Sequence, residues 1–187
     1  MGAARNKLIE DVDGRPLLHG PVEALRNVLG NDVLVVLGHE SDRVREALDP
    51  EVVSVEHADW EEGMGSSISQ GVRTILASRS DRTPRGILIC VGDLPGLEAS
   101  VVQALVEAFP VDAPSSRICV PTNAAGRDGH PVLFGADYFE ALCALSGDRG
   151  ARPIIDAAGA AVIRVRVKGD GILRDIDTPD DLADWQR

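Results

Sequence analysis

Hydrophobic positions along the chain follow two different spacings. Residues 32–37 and 86–91 are short, continuous aliphatic runs bounded by polar residues and glycines. Runs of this kind are typical of strands that are covered on both faces, so we interpret them as buried parallel strands. Residues 66–79 and 99–109 instead carry apolar side chains three or four positions apart, which predicts amphipathic helices.

Weaker patterns continue this alternation along the chain. Further strands are predicted at residues 51–56, 117–120, 132–134 and 161–167, and further helices at 21–28, 43–48, 138–145 and 179–187. Because strands alternate with helices, we predict a Rossmann-like, doubly wound α/β fold with a mostly parallel sheet. In such folds ligands bind outside the carboxyl ends of the strands, so polar motifs that follow strands are the first candidates for a site.

The chain is predicted to form a single domain over residues 1–187. A chain of this length buries about two-thirds of its unfolded surface and needs no disulfide or structural metal to fold. No internal repeat occurs, and residues 80–85 and 110–117 are too short to be domain linkers. Aromatic residues make up only 3% of the sequence, so the core is expected to be aliphatic.

Charge and apolar content exclude several classes of partner. A net charge of -11 opposes long-range attraction to nucleic acid or to an anionic membrane, although a small phosphorylated ligand stays open. No apolar run approaches the roughly 20 residues that span a bilayer, and no signal peptide is visible, so we expect a cytoplasmic protein. Cys90, Cys119 and Cys143 lie far apart among aliphatic residues, which predicts buried, inert thiols.

The first chemical motif, Gly92-Asp93-Leu94-Pro95, ends the strand predicted at residues 86–91. Mg²⁺ prefers oxygen ligands and takes one or two protein carboxylates together with substrate phosphates. A single Asp at the carboxyl edge of a sheet would therefore supply half of a magnesium site. A turn-forming Asp is the alternative, and the motif alone leaves both open.

The second motif, residues 175–182, is rich in acidic side chains. Alternation in an extended segment puts Asp175 and Asp177 on one face. Thr178, followed by Pro179, is also a typical helix start. Acidic residues in the first turn of a helix interact favourably with the positive end of the helix dipole. Capping leaves Asp175 and Asp177 unexplained, since two close carboxylates repel unless a cation or solvent separates them.

A third feature, residues 62–67, joins glycines and hydroxyls to the start of the helix predicted at residues 66–79. Free N–H groups at such a helix start can bind an anion. A plain glycine-containing helix cap explains the same residues, and neither a dinucleotide fingerprint nor a P-loop occurs in the sequence.

Taken together, these segments resemble the molybdenum cofactor cytidylyltransferase and guanylyltransferase family, the MobA-like NTP transferases. The matching segments, in chain order, are residues 2–8 with 14–18, 63–67, 92–95, 129–134, 147–152 and 175–179. The resemblance implies a nucleotide-diphospho-sugar transferase type of fold. It covers nearly the whole chain, whereas His19, His39 and His57 match nothing in the family pattern.

The resemblance also implies roles for individual residues. The implied nucleotide-binding residues are Gly2, Lys7, Gly65, Ser66, Ser67 and Gly92. Lys7 and Asp93 would be catalytic, with Lys7 contacting the triphosphate. Asp93 and Asp177 would hold Mg²⁺, and Asp175 is a further metal-ligand candidate. Gly129, His130 and Pro131 resemble the family's acceptor-side loop, although a surface or core role for His130 stays open.

The wording of the Gly-His-Pro and Asp-Ile-Asp-Thr-Pro segments is closer to the cytidylyl branch, which favours CTP over GTP. The segment that chooses the base follows the family's first strand, and this sequence contains neither that strand nor the start of the phosphate loop. We therefore interpret Met1 as an internal methionine of the loop and residues 1–187 as truncated at the N-terminus. Loss of that strand would impair binding and folding.

The implied reaction is attack of an acceptor phosphate on the α-phosphorus of a nucleoside triphosphate, with release of pyrophosphate. The favoured form is an Mg²⁺-dependent transfer of CMP from CTP to molybdopterin, with a molybdoenzyme or its chaperone as a further partner. One alternative acceptor is a sugar phosphate. The other alternative is a catalytically impaired nucleotide-binding module with a regulatory or chaperone role.

Overall fold

The computed structural model describes residues 6–78, 83–174, 176 and 185. Its strands are β1 (Asp11–Val12), β2 (Arg15–Pro16), β3 (Leu34–Leu37), β4 (Val53–Glu56), β5 (Gly86–Ile89), β6 (Ile118–Thr122), β7 (Val132–Gly135) and β8 (Val162–Arg166). Its α-helices are α1 (His19–Leu29), α2 (Ser41–Ala47), α3 (Met64–Ser78), α4 (Ala99–Glu107), α5 (Phe139–Cys143) and α6 (Arg152–Ala158). Short 3-10 turns lie at Lys7–Ile9, Trp60–Glu62, Ala136–Tyr138 and Gly159–Ala161.

The strands form one four-stranded sheet and two smaller ones. The larger sheet has the order β5-β7-β6-β8, in which β7 is antiparallel to both neighbours and β6 is parallel to β8. Strands β5, β6 and β8 therefore share one direction. Strands β3 and β4 pair in parallel as a separate sheet. The predicted α/β fold with mostly parallel strands is confirmed, but the reversed direction of β7 was not visible in the sequence.

Helices cover both faces of the four-stranded sheet, as a doubly wound fold requires. On one face α1 and α4 pack over a cluster that includes Val102, Leu105 and Leu133. On the other face α3 and α5 pack against the sheet in a second core cluster, which includes Phe134 of β7 and Leu142 of α5. No helix in the described part of the chain is long and apolar enough to cross a membrane.

Several predicted boundaries differ from those in the structure. The helix predicted at residues 66–79 begins two residues earlier, at Met64, and α6 was not predicted because its seven residues show little periodicity. The β1–β2 hairpin was also missed, although Asp13 and Gly14 have the positive φ angles, 55° and 85°, that a tight two-residue turn requires. The predicted helix at 179–187 lies outside the described residues, apart from Trp185.

The cysteines only partly match the expectation of buried thiols. Cys119 is buried, whereas Cys90 and Cys143 are half-buried, and all three are free. Burial, with a smaller contribution from nearby Asp93, raises the pKa of the Cys90 thiol to about 12. Burial also raises the pKa of Cys119. Cys90 and Cys119 are therefore protonated and weakly nucleophilic at neutral pH, as predicted.

Candidate functional site

Lys7 and Asp93 form an ion pair at the carboxyl end of β5. Lys7 Nζ lies 2.7 Å from Asp93 Oδ2, with side chains that are 38% and 19% exposed, respectively. Asp93 lies in the turn that follows β5, and Lys7 begins a 3-10 turn. Asn6 caps that turn, since its side-chain oxygen accepts a hydrogen bond from the N–H of Leu8. Two residues 86 positions apart thus meet at the sheet edge.

The second oxygen of Asp93 indicates that this carboxylate fits a cation. Asp93 Oδ1 is buried and has no hydrogen-bond partner among the described residues. Such a buried acceptor is costly unless a ligand satisfies it, and a hard divalent cation is a suitable ligand for a carboxylate oxygen. The described residues contain no group of three or more His, Cys, Asp or Glu side chains placed to hold a metal, so Asp93 would need substrate oxygens or further carboxylates.

The second acidic motif is represented in the structure by one residue. Asp175 and Asp177 lie outside the described residues, as does Gly2. Ile176, which stands between the two aspartates in the sequence, donates its backbone N–H to the backbone oxygen of Asp93 at 3.1 Å. The chain therefore passes directly beside Asp93 at the point where the sequence analysis expects further metal ligands.

The glycine-rich start of α3 packs tightly against residues 146–147. The N–H of Gly65 donates to Gly147 O at 2.7 Å, and a Cβ on Gly65 would lie 2.7 Å from Ser146 O. The Ser66 hydroxyl is buried and donates to Gly63 O at 2.8 Å. Gly65 and Ser66 therefore hold the helix start in place.

His57 is a part of this region that the sequence reasoning missed. Its Nε2 lies 2.9 Å from Ser66 Oγ. Because the single Ser66 proton is already donated to Gly63 O, His57 must carry its proton on Nε2 and donate to Ser66. No motif pointed to His57, since its partner is nine residues away and the contact depends on how β4 leads into α3.

The predicted acceptor-side loop is fixed by backbone contacts. The N–H of Gly129 donates to Pro121 O at 2.9 Å, and the N–H of His130 donates to Ile172 O at 3.0 Å. A Cβ on Gly129 would lie only 2.4 Å from Ile172 O, so only glycine fits there without a shift of the backbone. Pro131 follows a cis peptide bond. The loop is thereby tied to the segment that leads to the second acidic motif.

A cavity of about 720 Å³ brings together six of the nine candidate residues that the structure describes. The candidates that line it are Lys7, Ser67, Gly92, Asp93, Gly129 and His130. Gly65, Ser66 and Pro131 are not among its lining residues. Arg149 and Arg152 also line the cavity, and their positive charges suit phosphate oxygens. The sequence analysis matched residues 147–152 to the family but gave neither arginine a role.

Comparison with known proteins identifies the family and the fold. The sequence model of the MobA-like NTP transferase domain family matches residues 1–162. The solved structure of the Rv0371c homologue from Mycobacterium sp. strain JC1 has 30% sequence identity and a TM-score of 0.75, covering 96% of this chain and 87% of that one. Rv0371c of Mycobacterium tuberculosis H37Rv, solved as a complex with manganese, has 23% identity and a TM-score of 0.77, covering 96% and 90%. At that identity the likeness shows the fold alone.

A curated relative matches a shorter part of the chain. The bifunctional protein GlmU of Cupriavidus pinatubonensis (strain JMP 134 / LMG 1197) is 33% identical over 102 residues. That alignment covers 54% of this chain and 21% of GlmU. The match therefore spans about a fifth of the curated relative's length.

Proposed function

The chain belongs to the family of MobA-like NTP transferase domains, and from this premise we propose that it transfers a nucleoside monophosphate from a nucleoside triphosphate to a phosphorylated acceptor. Pyrophosphate is the second product. The observation that carries the proposal is the Lys7–Asp93 pair, whose buried Asp93 Oδ1 lacks a described partner, on a cavity shared with the Gly129–His130 loop.

Asp93 is the proposed metal ligand, with Asp177 and Asp175 as the further carboxylates. Mg²⁺ is the proposed cation, and a carboxylate set of this kind also accepts Mn²⁺. A cation bound there would neutralise charge on the triphosphate and on the departing pyrophosphate. The hydrogen bond from Ile176 to Asp93 supports a shared site, because it joins the two acidic motifs through the backbone.

Lys7 is the proposed phosphate-binding cation. In the structure its ammonium group neutralises Asp93, and its partial exposure leaves it accessible from the cavity. On nucleotide binding, Lys7 would exchange the carboxylate for a phosphate oxygen, which leaves Asp93 to bind the metal ion. Arg149 and Arg152, on the same cavity, would balance the remaining negative charge. Such a site works by positioning and charge neutralisation, without a covalent intermediate.

The proposal also specifies the base of the nucleotide and the chemical class of the acceptor. We propose CTP as the donor, with GTP second, and a molybdopterin-type phosphate as the acceptor bound near Gly129, His130 and Pro131. The Gly-His-Pro and Asp-Ile-Asp-Thr-Pro segments of this chain, which are closer to the cytidylyl branch of the family, support this assignment. A sugar phosphate is the second candidate acceptor, favoured by the matches to GlmU proteins over about half of the chain.

The decisive variant is Asp93→Asn, assayed for pyrophosphate release with CTP or GTP, Mg²⁺ or Mn²⁺, and each acceptor in turn. We expect kcat/KM to fall about a thousandfold or more, because the carboxamide keeps the shape but loses the negative charge that binds the cation. The melting temperature should change by no more than about 3 °C. Mass analysis of the product identifies the base and the acceptor.

The matched control is Asp112→Asn, which changes an exposed aspartate away from the cavity and should leave turnover unchanged. Turnover retained in Asp93→Asn would remove Asp93 from the mechanism. Saturable nucleotide binding by the unmodified chain, with no pyrophosphate released with any acceptor, would favour a binding module over an enzyme.

A further inference from the structure

Asp128 stands directly before the acceptor-side loop and lines the cavity together with Gly129. Its side chain is only 18% exposed. The same cavity is lined by three cations that suit phosphate oxygens, which are Lys7, Arg149 and Arg152. A carboxylate has the wrong sign of charge for such a place. The charge of Asp128 therefore has to be neutralised if a phosphorylated acceptor is to bind beside it.

Arg164 of β8 neutralises Asp128 through two hydrogen bonds. Arg164 Nε donates to Asp128 Oδ1 at 3.0 Å, and Arg164 Nη2 donates to Asp128 Oδ2 at 3.1 Å. Paired bonds of this kind fix the direction of a carboxylate as well as balancing its charge. Among the described residues, no other cation forms an ion pair with Asp128. The hydrogen bonds to Asp128, together with its negative charge, raise the pKa of Arg164, so the guanidinium stays charged.

This ion pair connects β8 to the acceptor-side loop. Arg164 lies beside Val120 in the pairing of β8 with β6, and Thr122 of β6 forms an antiparallel bridge with Asp128. Thr122 Oγ1 also donates to Asp128 Oδ1, at 3.4 Å. Strand β6 lies between β8 and β7. The Arg164 side chain therefore reaches across β6 to hold the residue that precedes the loop into β7.

The exposure of Arg164 argues against a role in stability. Its side chain is 58% exposed, and ion pairs so accessible to water contribute little to folding. Loss of Arg164 would instead leave the Asp128 carboxylate on the cavity without its counter-charge. We propose that Arg164 is a positioning residue for the phosphorylated acceptor, because it neutralises and orients Asp128 so that an acceptor phosphate can bind beside Gly129. The inference rests on the proposed function, which supplies the phosphorylated acceptor.

The test compares four variants with the unmodified chain. Arg164→Met removes the counter-charge, Asp128→Asn removes the carboxylate charge, and the double variant removes both. Arg166→Met is the matched control, because Arg166 lies two positions further along β8 and donates to the backbone oxygen of Ala124, at 3.3 Å. The control loses the same positive charge without leaving a carboxylate unneutralised. The KM for the nucleotide and the KM for the acceptor identified by product analysis are measured with Mg²⁺, and thermal melts check folding.

Arg164→Met should raise the acceptor KM about tenfold, because an unneutralised carboxylate on the cavity repels the phosphate. The nucleotide KM should change by less than about twofold, since the triphosphate binds with its own metal ion. Asp128→Asn should lower the acceptor KM about twofold, and the double variant should return to within about threefold of the unmodified chain. Raising the salt concentration from about 0.05 to 0.5 M should reduce the defect of Arg164→Met. A role confined to packing predicts additive losses and no such rescue.

A binding measurement separates this inference from the proposed catalysis. Inorganic phosphate is titrated calorimetrically into each variant loaded with CTP and Mg²⁺, without an acceptor, and we expect the same order of affinities as for the acceptor. If CTP does not bind, or if no acceptor supports turnover, the proposed function fails. Titration of phosphate into the nucleotide-free protein then decides the role of Arg164 by itself.

Two results would overturn the inference. The first is an acceptor KM and a phosphate affinity that are the same in Arg164→Met as in the control Arg166→Met. The second is a double variant as impaired as Arg164→Met, since removal of the Asp128 charge would then restore nothing. An equal rise in both KM values, with a melting temperature lowered by more than about 5 °C, would also contradict it and assign Arg164 to stability.

Discussion

The two central strands of the four-stranded sheet, β7 and β6, and strand β3 all contain aliphatic runs but are buried to different extents. Every residue of β6 and β7 is buried, whereas in β3 only Leu37 is buried and the other three residues are partly exposed. Strand β7 has a strand on each side, whereas β3 has a described neighbour on one side only. An aliphatic run thus predicts a strand, and the neighbours of that strand decide how fully it is buried.

The two sides of the candidate site also differ in how their loops are held. On the side of the four-stranded sheet, backbone hydrogen bonds fix the Gly129–His130 loop and the turn that holds Asp93. On the side of β3, side-chain contacts of Asn6 and Ser66 hold the surrounding loops together with backbone bonds such as that from Gly65 to Gly147. We expect the first side to tolerate substitution poorly and the second side to adapt.

Two matched leucines test the comparison most strongly. Leu133 in β7 is 6% exposed and pairs with a residue on each side, whereas Leu34 in β3 is partly exposed and lines the cavity. Leu133→Ala should lower the free energy of unfolding by about 3–4 kcal/mol. Leu34→Ala should lower it by about 1 kcal/mol. Urea denaturation with linear extrapolation measures both, and equal losses would contradict the proposed difference between the sheets.

Two glycine substitutions test the same comparison with effects of intermediate size on stability. A Cβ on Gly129 would meet the Ile172 backbone oxygen at 2.4 Å, so Gly129→Ala should cost about 2 kcal/mol. A Cβ on Gly71, inside α3, would meet only a Val36 methyl group at 2.9 Å. Because this contact is with a side-chain methyl group beside the cavity and alanine favours a helix, Gly71→Ala should stay within about 0.5 kcal/mol of the unmodified chain. Chemical denaturation measures both changes, and a Gly71→Ala loss as large as that of Gly129→Ala would show that β3 is rigid.

The smallest expected effect lies at the start of α3. Ser66→Ala removes a buried hydroxyl that bonds Gly63 and His57, so it should cost about 1 kcal/mol of stability. Ser67→Ala, at the neighbouring cavity-lining position, should change stability by less than about 0.5 kcal/mol. Thermal melts of the two variants measure this. A larger loss for Ser67→Ala would reverse the assignment of Ser66 as the structural hydroxyl.

The sequence predicted most of the elements but only part of the site. Predicted strands and helices match β3 to β8 and α1 to α5 within a few residues, since local periodicity reports which face of an element is covered. Asp93 was predicted as a site residue because it closely follows an aliphatic run, and the structure places it on the cavity. His57 was missed, and Arg149 and Arg152 were given no role, because local periodicity does not show which side chains meet in the folded chain.

The sequence by itself determined the alternation of strands and helices, the aliphatic core and the position of Asp93 at the end of β5. Only the tertiary structure decided the reversed direction of β7, the pairing of Lys7 with Asp93, and the passage of Ile176 beside them. It also decided that β3 and β5 line the same cavity. Periodicity is a local property of the chain, whereas pairing and packing depend on residues that only folding brings together.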